Sequence, residues 1–170
     1  MASPLGELLL VTDEAGVLRA LDFTGYEDRM ARLLRLHYGT LTPSPGPAPP
    51  PLLAGLAAYF AGECAALSGI SWATGGTAFQ QQVWTELTRI PPGQTSTYAT
   101  LAARLGRPQA NRAVGAANGA NPIAIVLPCH RLVAANGALT GYAGGLDRKA
   151  WLLRHEATSA QNPSALPAGS

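Results

Sequence analysis

The chain has 170 residues, 47% of them apolar and 13% charged, with a net charge of +2. That is room for one domain or two small ones with a proper core, and it excludes a charge-rich disordered chain. Two cysteines, Cys64 and Cys129, in unlike contexts exclude a disulfide framework or a zinc site and point to a reducing compartment. No basic-then-apolar leader opens the chain and no apolar run approaches a membrane span, so a cytoplasmic protein with no membrane, metal or cofactor is expected.

The spacing predicts two strands, 7–12 and 17–23, around the turn Asp13-Glu14-Ala15-Gly16. A helix follows over 26–37, with Met30, Leu33, Leu34 and His37 on one side. Residues 42–51, rich in proline, are expected to form an extended connector. A helix over 52–62 and a Gly/Ser/Thr-rich boundary over 68–77 close the first half. Phe79, Val83, Trp84 and Leu87 make a helical stripe stopped at Pro91-Pro92-Gly93. Thr97 is placed to cap a helix over 98–105, Gly106-Arg107-Pro108 stops it, and another helix runs over 109–119. Two short helices around a tight turn have the outline of a helix-turn-helix, or of an ordinary packed pair. A last helix is expected over 147–156 and a disordered tail from Ala157.

Charge is uneven along this frame. Residues 1–76 hold four Arg against seven Asp/Glu, and residues 77–156 hold eight Arg/Lys against three, so an anionic partner is expected on the second half. The helix over 109–119 carries Ala113, Gly115, Ala116 and Ala117 behind Arg112. So little bulk suits tight packing, or a face laid against a groove about 6 Å wide. Cys129 lies in Ile-Val-Leu-Pro-Cys-His-Arg, residues 125–131. It is either a small core hydrophobe or a nucleophile whose thiolate His130 and Arg131 would favour. In an extended chain His130 would face away from Cys129, so coupling them needs a turn or a bridging water. Glu156 falls on the apolar side of its helix with Leu152 and Leu153, where a carboxylate needs a buried partner.

The sequence resembles the O6-alkylguanine-DNA alkyltransferases, also called methylated-DNA–protein-cysteine methyltransferases. The resemblance rests on Arg112-Ala113-Val114-Gly115, Asn121-Pro122 and the 125–131 run, then Gly141-Tyr142-Ala143-Gly144-Gly145-Leu146 and Lys149-Ala150-Trp151-Leu152-Leu153-Arg154-His155-Glu156. Upstream, Phe79-Gln80, Val83-Trp84, Ile90-Pro91 and Tyr98 also match, while the first half resembles the family only in its hairpin and in Tyr59-Phe60-Ala61-Gly62.

The resemblance implies an α+β fold: a small N-terminal α/β (RNase H-like) domain over 1–74, then a mainly helical winged helix-turn-helix domain over 75–156. It implies stoichiometric, irreversible transfer of the alkyl group from O6-alkylguanine, and from O4-alkylthymine, in double-stranded DNA to Cys129. His130 would act as base through a water and Glu156 would orient it. Tyr98 would offset charge on the departing base, and Asn121 would brace the site. Arg112 would fill the space of the flipped base, with Ala113, Gly115 and Ala116 against the minor groove. Leu132, Tyr142, Ala143 and Gly144 would line the pocket, and the protein would act as a monomer. Ala143 stands where the family often has Ser, so no hydroxyl is available there. Two rival readings stay open: a non-catalytic lesion sensor or helix-turn-helix DNA-binding protein, and a hydrolytic Cys–His enzyme.

Overall fold

The computed structural model describes residues 1–161. Three antiparallel strands open the chain: β1 (Ala2–Ser3), β2 (Gly6–Thr12) and β3 (Leu18–Phe23). Asp13 builds the β2–β3 turn, its Oδ1 accepting from the N–H groups of Ala15 and Val17. β3 is buried along most of its length because chain packs on both its edges. β2 takes one edge. On the other, Leu18 pairs with Trp72 and Leu21 with Ile123, both in parallel.

Helix α1 (Glu27–Tyr38) buries Leu33, Leu34 and His37 as the spacing predicts, while Met30 is half-buried. The expected connector is shorter than its proline run. Pro50 and Pro51 open α2 (Pro50–Phe60), because proline suits a first helical turn whose N–H groups have no partner anyway. A 3-10 segment, Cys64–Gly69, leads to the stretch that pairs with β3.

Helix α3 (Ala78–Leu87) starts at a capping box: Gln80 N–H donates to the Thr77 hydroxyl, and Thr77 N–H to the Gln80 side chain. Its buried face carries Val83, Trp84 and Leu87, and Trp84 Nε1 donates 2.9 Å to the Ala117 carbonyl. Thr97 caps α4 (Tyr98–Arg104) by accepting from Thr100 N–H. Short strand β4 (Ser96–Thr97) pairs in parallel with β5 (Leu132–Val133). Helix α5 (Asn111–Gly119) turns Val114 and Ala117 inward. Burying such side chains contributes about 1.5–3 kcal/mol each for the larger ones.

The last helix, α6, spans Leu146–Gln161, which corrects the expected tail from Ala157. Ala157 and Ala160 pack beneath Gly93, where an added Cβ would come 2.8 Å from Ala160. Residues 162–170, the rest of that expected tail, lie outside the described residues. Among the described residues no helix is long and apolar enough to cross a membrane.

Candidate active site

The approach to Cys129 is a buried, sharply folded path from Asn121 to Arg131. Asn121 Nδ2 donates to the Leu127 carbonyl at 2.8 Å, and its Oδ1 accepts from Ile123 N–H at 2.9 Å. Between them, Val126 N–H reaches back to the Ala124 carbonyl, a three-residue turn that puts Ile125 at φ 71°. A β-branched residue there is strained by roughly 1–3 kcal/mol and persists only because its surroundings impose it. A second three-residue turn, Cys129 N–H to Leu127 O, centres on Pro128 at φ −81° and ψ 65°. It delivers Cys129 to the head of a 3-10 turn, Cys129–Arg131. The chain is therefore not extended here, and Cys129 and His130 escape the strict alternation of a strand.

His130 and Glu156 are both fully enclosed. His130 Nε2 lies 2.8 Å from Glu156 Oε1. A carboxylate can only accept, so the proton sits on Nε2 and the lone pair of the neutral ring on Nδ1. Nδ1 is buried with no partner among the described residues. Burial pushes the imidazole below its ordinary value against the pull of Glu156, with Arg131 and Lys149 adding to the depression. Burial alone would raise Glu156, but His130 and the Arg131 guanidinium outweigh it and hold the carboxyl well below its usual range. Arg131 donates Nε to Oε2 at 2.9 Å and Nη2 to Oε1 at 2.8 Å, and its Nη1 goes to the Ile90 carbonyl.

This geometry corrects one expectation. Arg131 faces Glu156 and not Cys129, so it cannot draw the thiol toward thiolate. Burial raises the Cys129 thiol above its ordinary value, opposed by a hydrogen bond from Asn121 and by the charges of Arg29 and Lys149. The resting sulfur is a thiol and needs a base.

Cys129, 7% exposed, opens on a cavity of about 490 Å³. One wall is the loop Thr140–Gly144, another is Tyr98 with Gly115, Asn118 and Gly119, and the third comes from Asp22, Phe23 and Arg29 of the first half. The loop is fixed from behind by Lys149, fully buried, whose Nζ donates to the carbonyls of Leu132 at 2.6 Å and Thr140 at 2.8 Å. Gly144 packs flat on Phe23, where a Cβ would meet the ring at 2.6 Å. The Tyr142 hydroxyl and Asn118 Oδ1 are buried without partners among the described residues. Polar atoms so left are uncommon in folded proteins and here border one cavity.

Residues 78–158 match the family model described as the DNA-binding domain of 6-O-methylguanine DNA methyltransferase. The methylated-DNA–protein-cysteine methyltransferase of Salmonella typhimurium is 55% identical over 162 residues, 92% of either chain. That of Mycobacterium tuberculosis is 45% identical over 160 residues, 93% of this chain and 90% of its own. A crystal structure of Mycobacterium tuberculosis OGT in complex with DNA superposes with a TM-score of 0.77 at 41% identity, covering 94% of this chain and 91% of the other. The chain belongs to the methylated-DNA–protein-cysteine methyltransferases.

In this methyltransferase α5 has a buried face and an exposed one. Val114, Ala117 and Asn118 pack inward, while Arg112, Ala113 and Ala116 are exposed and Gly115 lies half-buried against the Tyr98 ring. Tyr98, first residue of α4, borders the cavity with its hydroxyl 3.4 Å from the Thr140 carbonyl. Tyr142, Ala143 and Gly144 border the cavity as well. Leu132 does not: its side chain lies in the core, and its carbonyl accepts from Lys149.

Sequence reasoning missed several cavity and relay residues. Lys149 falls three before Leu152 and seven before Glu156 on one helical stripe, a signal for an inward-facing ammonium. Asp22 follows Leu18 and Ala20 in the inward series of β3, and its Oδ2 takes Arg29 Nη1 at 2.7 Å. Tyr59 likewise falls seven after Leu52 and three after Leu56 on one helical stripe, while Arg29 left no such trace.

Proposed function

We propose that Cys129 accepts the alkyl group of O6-alkylguanine, and of O4-alkylthymine, in double-stranded DNA, in a single irreversible event. Transfer of an alkyl group from damaged DNA to a protein cysteine is the activity of this family, which 55% identity to the Salmonella typhimurium relative supports over nearly the whole chain. The observation that carries the assignment to Cys129 is its position: the thiol opens on the cavity, next in chain to an imidazole whose Nδ1 has no partner among the described residues. Cys64 lies elsewhere, in a cleft with Trp72 and Pro128.

The thiol proton passes to His130 Nδ1 through a bridging water, with Glu156 fixing the ring. Sγ attacks the alkyl carbon, the C–S bond forms as the C–O6 bond breaks, and the bonding pair leaves with the guanine. Tyr98 supplies a proton to the departing base. The resulting thioether has no leaving group, so each molecule acts once.

The target carbon is inaccessible in a duplex, so the base is turned out of the stack at a cost of a few kcal/mol. Arg112 takes its place, and the small exposed side chains of α5 admit that helix to the minor groove. In this reading residues 75–156 form a winged helix-turn-helix domain, with α4 and α5 as its helices and β4–β5 beside them. Residues 1–74 form an RNase H-like companion domain. Asn121 braces the strained path to Cys129. The protein works as a cytoplasmic monomer without cofactor.

Intact mass spectrometry after incubation with duplex DNA carrying one O6-methylguanine tests this. The expected result is one added methyl per protein, mapped to Cys129 and absent from Cys129→Ala. An unmodified protein points to a lesion sensor, and more than one turnover per molecule points to a hydrolase; either overturns the proposal.

A further inference from the structure

Tyr59 belongs to the short run Tyr-Phe-Ala-Gly of the first half, to which the alkyl transfer described above gives no task. It sits on α2, 97 residues before Glu156, and is wholly enclosed. Its ring packs edge-on against Phe60 and His155, and its backbone carbonyl accepts from His155 Nε2 at 2.7 Å. These contacts dock α2 on α6 without help from the hydroxyl. The hydroxyl instead donates 2.9 Å to Glu156 Oε1, the same oxygen that accepts from His130 Nε2 and Arg131 Nη2.

Three donors on one carboxylate oxygen divide its capacity to accept. Each donor that remains makes Oε1 a poorer acceptor for an imidazolium proton and favours the neutral ring. We propose that Tyr59 is a positioning residue for the alkyl transfer, its hydroxyl fixing Glu156 Oε1 and restraining the basicity that Glu156 confers on His130. The inference rests on His130 being the base.

The charged and titratable groups around this oxygen are few. From the 3-10 turn come His130 and Arg131, from α6 Glu156 itself with His155 behind Tyr59, and Cys64 follows α2. The charge of Lys149 also bears on His130. Burial, with Glu156 adding to it, raises the phenol far above its ordinary value, so Tyr59 keeps its proton and acts only as a donor.

Tyr59→Phe removes the hydroxyl and leaves the ring. The rate of Cys129 alkylation by free O6-benzylguanine, followed across acid and neutral pH, reads the protonation of the base without involving DNA. Losing one donor makes Glu156 hold the imidazolium more tightly, so the acid limb moves to higher pH, by about half a unit or more. Nitrogen-15 chemical shifts of the His130 ring report the same shift independently of activity. A limb that superposes on that of the parent protein overturns the inference, as does a loss equal at every pH with an unmoved midpoint. His130→Gln separates the two levels. If it keeps the parent's acid limb, His130 is not the base and both readings fall. If it abolishes the limb while Tyr59→Phe leaves it in place, only the role of Tyr59 falls.

Discussion

Glu156 shows what a residue-scale reading of the sequence reaches and where it stops. Its place beside Leu152 on α6 marks it as inward-facing from spacing alone, and the structure encloses it completely. Of its partners, His130 came only with the family resemblance, and Tyr59 and Arg131 were not legible, because they reach it from 97 and 25 residues away and no local pattern encodes such a meeting. Cys129 teaches the reverse. Chain neighbours suggested that Arg131 would favour the thiolate, yet two tight turns send Arg131 elsewhere and leave the charges of Arg29 and Lys149 to oppose the effect of burial on the sulfur. Arg112 is exposed and makes no ion pair among the described residues, so its removal should leave the fold intact. Stacking on a base contributes about 1–3 kcal/mol. Arg112→Ala is therefore expected to slow repair of duplex DNA by roughly ten- to a hundredfold while reaction with free O6-benzylguanine stays near the parent rate. Equal losses on both substrates would remove Arg112 from the flipping step.

At the scale of elements, what a few neighbouring residues decide was readable, and what distant contacts decide was not. Thr97 announces a helix by a hydroxyl that caps it, a local interaction visible in four residues, whereas Thr77, read as part of a boundary, does the same for α3. The end of α6 depends on Gly93 lying against Ala160, a contact between distant segments, so the helix outruns its apolar pattern. The pairing of Leu21 with Ile123 was likewise invisible, since it joins segments from opposite halves of the sequence. The loop over 140–144 depends on another such contact, Gly144 on Phe23. In Gly144→Ala the new methyl meets the ring, so loop and strand must part, with a loss of about 1–3 kcal/mol in chemical denaturation. Alkyl transfer should slow in step, and pairing the change with Phe23→Leu should restore part of both. Independent, additive losses in the double variant would show that the contact does not set the wall.

For the molecule as a whole, the buried titratable groups define a window of stability. His130, held below its ordinary 6.5 by burial, stays neutral in the fold while the unfolded chain takes up a proton, so stability falls as pH drops through 6.5. Glu156 follows: its contribution is present above 4.5 and is lost as pH falls toward its depressed folded value. On the alkaline side burial holds Cys64 and Cys129 above 9.0, and Tyr59 and Tyr142 above 10.0. The unfolded chain then ionises first and stability falls again, against a smaller opposite effect from Lys149, which burial holds below 10.5. The thermal midpoint is expected to be flat between about pH 6.5 and 9 and to decline on both sides; a maximum well into the acid range would contradict this assignment. The uneven charge along the chain, by contrast, was readable from composition alone, because net charge needs no fold.

The kinked backbone at Ile125 has a consequence for the spent molecule. The wall behind Cys129 is locked by that kink, by Asn121 and by pairing to β3, so it cannot retreat when the sulfur gains an alkyl group. The strip facing it across the cavity exposes Thr140, Gly141 and Ala143 to solvent while Lys149 and Phe23 hold it from behind. An alkyl group on the sulfur must therefore be taken up on the cavity side, and any difference between used and unused copies is expected at Thr140, Gly141 and Ala143 rather than in the wall behind.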